Sequence, residues 1–122
     1  MKIALPVENN MADSNISPSF GRAPYFLIYD SDTDESIYVN NTAAASQGGA
    51  GIKAAQAVID LGAQALITPR CGENAAQVIK IAGIEMYKSQ GLSAAANIAA
   101  YKANTLSPLD DIHPGFHNHG NK

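Results

Sequence analysis

The sequence predicts a single α/β domain built on a five-stranded mixed sheet with about three helices, and three observations carry that prediction. Residues 2–40 hold three strand-like runs, the last two joined by a hairpin signal; residues from 50 onward alternate between helical and strand periodicity; and a short internal echo divides that second half into repeated helix-strand units. At 122 residues the chain suits one domain with a real core.

KIALPV at 2–7 is an apolar run of strand length and reads as a buried strand. The polar stretch ENNMADSNISPSFGRAP then breaks any periodicity with Asn, Asp, Ser, Pro and Gly and reads as a long loop. YFLIYD at 25–30 and SIYVN at 36–40 are rich in aromatic and β-branched residues, and the acidic turn SDTDE between them predicts an antiparallel hairpin. Ile52, Ala55 and Ile59, with Val58 beside them, share one helical face, and Gly62 supplies a left-handed stop. ALIT at 65–68 is the next strand. Ala75, Val78, Ile79 and Ala82 repeat the helical spacing until Gly83, IEMY at 84–87 is the last strand, and Ser93 caps a third helix carrying Ala94, Ile98 and Tyr101. The echo is Ala54-Ala55-Gln56 before Gly62, matched by Ala75-Ala76-Gln77 before Gly83. The expected domain is therefore residues 1–104. From Thr105 the chain is rich in Pro, Gly, Asn and His without periodicity, which predicts a flexible His-containing tail over 105–122.

The order β-β-β-α-β-α-β-α fixes a geometry. If the first strand runs up, the hairpin returns down and up, and each helix descends before the next strand rises. Loops 8–24, 41–49, 69–72 and 88–92 then share one edge, where parallel strands end and helices begin. A ligand site is expected there.

Composition narrows the chemistry. A net charge of -3 with 46% apolar and 16% charged residues describes a globular protein and argues against nucleic-acid or anionic-membrane partners, which rely on clustered Lys and Arg. One cysteine cannot form an internal disulfide, the start MKIALPVENN lacks a signal-peptide core, and no run approaches the roughly 20 apolar residues of a bilayer span. The expected location is the cytoplasm.

Arg22 and Arg70 are the only arginines and both fall in the shared-edge loops, while Lys53 lies in the first turn of the first helix. With the N-H groups of Gly48, Gly49 and Gly51 they could form an anion pocket; the competing reading is surface ion pairs on glycine-permitted turns. GAGIKA at 49–54 has dinucleotide-fingerprint spacing but lacks its tight strand-to-helix turn and its downstream acid. Cys71, between Arg70 and Gly72 at a helix start, has the setting of a stabilised thiolate, and equally that of a small turn residue before Glu73, with no neighbouring histidine to serve as a base. Asp13, Asp30, Asp32, Asp34 and Asp60 do not make a two-metal nuclease: the first strand carries no acid, and Asp30, Asp32, Asp34 and Asp60 belong to the opposite edge. His113, His117 and His119, spaced by four and two, could gather a borderline metal ion, with His117 and His119 the stronger pair, or form a solvated tail.

SPSFGRAPYFLIYD, GGAGIKAAQ and CGENAAQ, in this order and at these separations, closely resemble the NifX-like family, which includes the carboxy-terminal domain of NifB and the small orange proteins involved with dinitrogenase iron-molybdenum cofactor. The resemblance covers residues 1–104. It implies a ribonuclease-H-like fold without nuclease activity. It also implies a non-enzymatic accessory that binds or carries a small anionic metal-sulfur cluster, molybdenum with iron or copper, and meets metallocofactor-assembly proteins. Phe20, Gly21 and Arg22 match the family's first motif, Gly48, Gly49, Gly51 and Lys53 its second, and Cys71 and Gly72 its third. Two departures stand out: Ser19 occupies a position where many relatives have histidine, and Pro69 and Arg70 replace glycine and asparagine. Without a metal, the same loops suit a phosphorylated metabolite or nucleotide; a Cys71-dependent enzyme is a third reading.

Overall fold

The computed structural model describes residues 1–113. Within them the chain forms β1 (Lys2–Val7), β2 (Tyr25–Asp30), β3 (Glu35–Asn40), a 3-10 turn (Thr42–Ala45), α1 (Ala50–Asp60), β4 (Ala65–Thr68), β5 (Cys71–Gly72), α2 (Glu73–Ile81), β6 (Glu85–Lys88), α3 (Ala94–Lys102) and β7 (Ile112–His113). The main sheet runs β3-β2-β1-β4-β6. β1 pairs antiparallel with β2 and parallel with β4, so the five-stranded sheet is mixed, as the sequence predicts.

Strands that are apolar at successive positions have two faces to bury, and both are covered. Ala4, Phe26, Ile28 and Leu66 pack with Ala54, Ala55 and Val58 of α1 and Ala75, Ala76 and Ile79 of α2. Ile3, Leu5, Val7, Leu27, Tyr29, Ala65 and Ile67 form a second core with Ala94, against which Ile98 and Tyr101 of α3 pack. Pro6 is tolerated in this central strand because parallel pairing with β4 is confined to Ile3 and Ala4; beyond it, the Ser17 N-H donates to the Pro6 carbonyl at 2.8 Å.

Two expectations are corrected here. Ile52, read as part of the buried face of α1, is 43% exposed, and Ala50, Ala54, Ala55 and Val58 form that face instead. Small side chains there let α1 lie close to α2: a Cβ built on Gly51 would stand 3.4 Å from the Ala75 Cβ. The segment from Thr105, expected to be a flexible tail, is docked through His113. Lys88 N-H donates to Ser107 O (2.9 Å), Leu109 N-H to Met86 O (3.0 Å) and Cys71 N-H to Asp111 O (3.1 Å), and β7 pairs in parallel with β5. The cause is β6, whose outer edge carries backbone groups that need partners. Leu106, Leu109 and Ile112 anchor the segment in the two cores. His117 and His119 lie outside the described residues.

Among the described residues no helix is long and apolar enough to cross a membrane. α3 follows a loop held by Asn97, whose buried amide donates to Gln90 O (2.9 Å) and Ser93 O (2.8 Å) and accepts from Gln90 N-H (2.7 Å). That loop also pairs with residues 15 and 16, so the 88–92 connection serves the α3 face.

Candidate functional site

Where β1, β3 and β4 end, the chain opens a cleft of about 470 Å³ lined from the 19–22 loop, the first turns of α1 and α2, Arg70, Cys71 and His113. Topology creates it. The first crossover helices both lie on one face of the sheet, so their N-termini emerge side by side beneath the loop that follows β1.

Gly21 sets how closely that loop approaches α1. A Cβ built there would stand 3.0 Å from both Gly51 Cα and Gly51 N, backbone atoms that cannot rotate away. The chain enters α1 through Gly49 at φ +70°, a left-handed conformation that other residues adopt at a cost. Asn41 ties the two segments together: its buried amide donates to Gly21 O (3.1 Å) and Ala23 O (2.9 Å) and accepts from Ala43 N-H (3.2 Å). The motif glycines therefore serve packing and turn geometry.

The two arginines differ in what they do. Arg22 Nη1 donates to Ala44 O at 2.8 Å and to Ser46 O at 2.6 Å, bracing the 3-10 turn that leads to α1. Lys53 reaches the same turn, its Nζ lying 3.3 Å from Ser46 Oγ. Arg70 is exposed on the cleft rim; its carbonyl accepts from the Thr68 hydroxyl at 3.1 Å, while its side chain makes no hydrogen bond or ion pair among the described residues. Both α1 and α2 start without a side-chain cap, at Gly49 and Gly72, whereas Ser93 caps α3 through Ala96 N-H. The two helices that open into the cleft thus leave first-turn N-H groups available to an anion.

Cys71 is 1% exposed, and burial pushes its thiol up to about 11. Of the two settings read for Cys71, the stabilised thiolate is overturned, because burial sets the direction of its shift. A nucleophile role loses its basis. The neutral thiol is the folded form up to that value, while the unfolded chain releases its proton near the ordinary 9.0. The unfolded state then binds fewer protons, so stability falls as pH rises from about 9 to about 11. Two measurements check this: native Cys71 should react with a thiol reagent far more slowly at pH 8 than after denaturation, and Cys71→Ala should flatten the alkaline fall in unfolding free energy.

Of the residues singled out from the sequence, Phe20, Gly21, Arg22, Gly49, Gly51, Arg70, Cys71 and Gly72 line this one cleft. Gly48 and Lys53 do not, although Lys53 supports its wall. Ser19, Ile52, Asn74 and His113 also line it; the sequence marks Ser19 as a departure from the family motif, Ile52 as a core residue and His113 as a candidate metal ligand, and gives no signal for Asn74. That His113 reaches the cleft is not legible locally, because its strand pairing is non-local. Among the described residues no three His, Cys, Asp or Glu side chains gather as a metal site.

A family model described as dinitrogenase iron-molybdenum cofactor matches residues 1–104. The apo orange protein of Desulfovibrio gigas superposes with a TM-score of 0.85 at 30% identity, covering 90% of this chain and 93% of that one. A NifB-like protein of the DUF35 family from Thermotoga superposes with a TM-score of 0.78 at 32% identity, covering 88% and 92%. An uncharacterized protein of Methanocaldococcus jannaschii is 35% identical over 96 residues, 76% of this chain and 78% of that protein.

Proposed function

The chain belongs to the dinitrogenase iron-molybdenum cofactor family, and on that premise we propose that it binds and carries a small anionic metal-sulfur cluster, without catalysing a reaction, on behalf of metallocofactor-assembly proteins. The cargo would be a molybdenum-containing sulfide cluster with iron or copper. The ribonuclease-H-like label belongs to the same reading and draws support from the β3-β2-β1-β4-β6 order with β2 antiparallel.

The observation that carries the proposal is the convergence, on a chain of net charge -3, of Arg70 and two uncapped helix N-termini around one cleft. Each is a donor of positive potential aimed where an anion would sit. Sulfides at a cluster surface accept N-H bonds, so retention rests on charge and hydrogen bonding to a preformed cluster. Arg22, fixed by the 42–46 turn, lines the same cleft and adds its charge there.

The test is anaerobic reconstitution with tetrathiomolybdate, alone and with copper(I) or iron(II), followed by gel filtration. Molybdenum and a visible band co-eluting with protein are expected; colourless protein from every mixture would overturn the proposal. Phosphate takes the same donors, so nucleotides are run in parallel by thermal shift. A melting temperature raised by nucleotide and not by thiomolybdate would favour the phosphorylated-ligand reading.

A further inference from the structure

His113 is the one histidine within the described residues, and it reaches the cleft from a part of the chain beyond the family match, which ends at residue 104. Its place is built by packing. Parallel pairing sets His113 opposite Gly72 and packs its imidazole beside that residue, with Cε1 3.6 Å from where a Gly72 Cβ would stand. Leu109 and Ile112 press the segment onto the core, and the bonds from Leu109 N-H to Met86 O and from Cys71 N-H to Asp111 O hold it in register.

The cleft's other polar side chains, Arg22, Arg70, Ser19 and Asn74, address sulfide through N-H or O-H groups. Coordination of copper or iron calls for an imidazole or a thiolate, and Cys71 is 1% exposed. We propose that His113 coordinates the metal of the cluster cargo, so that the docked 105–113 segment completes the cleft with a ligand from outside the family-matched region. The inference rests on the cluster-binding reading above.

The experiment uses the full chain labelled with ¹⁵N in its histidines, loaded anaerobically with tetrathiomolybdate and copper(I). On loading, one imidazole nitrogen of His113 is expected to shift to a metal-bound position while the resonances of His117 and His119 do not change. Because this is read on the wild-type protein, it does not depend on a variant folding. Retained molybdenum is then compared with His113→Ala, which should lose about tenfold in retention, the scale of one lost ligand or orienting bond. Equal retention in both proteins with an unmoved His113 resonance would sink the His113 assignment and leave the carrier reading intact. Colourless wild-type protein would sink both.

Discussion

Replacing Asn41 by alanine is expected to remove roughly 2 to 4 kcal/mol of stability, a fall of about 10 °C in melting temperature, and to loosen the cleft with it. Asn41 is 6% exposed and all three bonds of its side chain are to backbone. Truncation leaves the carbonyls of Gly21 and Ala23 and the N-H of Ala43 without their partner in a place water reaches poorly, and that desolvation penalty is the larger part of the loss. The 19–22 loop and the turn before α1 then move independently, although the cleft needs both. Asn97→Ala is the control. It removes a buried amide of α3 whose three comparable bonds hold the preceding loop, away from the cleft, so it should lower stability similarly while cluster retention per folded molecule stays unchanged. Urea denaturation paired with gel-filtration retention separates the two; equal retention in Asn41→Ala and wild type would show that the loop holds its geometry without this tie.

Arg70→Ala is expected to weaken cluster retention by roughly ten- to a hundredfold, as the loss of a charge-assisted hydrogen bond does, and to leave the melting temperature unmoved. Among the described residues its side chain braces no other group. Arg22→Ala should lose both, since Ala44 O and Ser46 O accept from its guanidinium and would be released together. Lysine separates charge from shape: Arg70→Lys should recover part of the retention through charge, whereas Arg22→Lys should recover little of the stability, a single ammonium being a poor substitute for a planar donor bridging two carbonyls. Raising salt should weaken retention most in wild type and least in Arg70→Ala, because screening acts on the charge that variant lacks. A melting temperature that falls in Arg70→Ala as far as in Arg22→Ala would contradict this division of labour.

The strands, the helix starts and the shared edge were legible because each is written in local chemistry. A run such as KIALPV has no solvent face to offer, Gly62 and Gly83 end helices at positive φ, and alternating strands and helices leave few ways to order a sheet. The arginines could be placed on the cleft rim for the same reason: once the loops share an edge, scarce residues within them share it too. Their different tasks could not be read, because which carbonyls lie within reach of Arg22 depends on a turn twenty residues away in sequence.

The sequence alone determined the strands, the helices and the rim their loops share, since periodicity and turn residues act over a few residues. Three things were decided only by the tertiary structure: that Cys71 is buried and keeps its proton, that Ile52 turns to the cleft rather than the core, and that residues 105–113 return to the edge of β6 and bring His113 to Gly72. Each depends on desolvation or backbone pairing between segments distant in sequence, and those energies exist only once the chain has closed on itself.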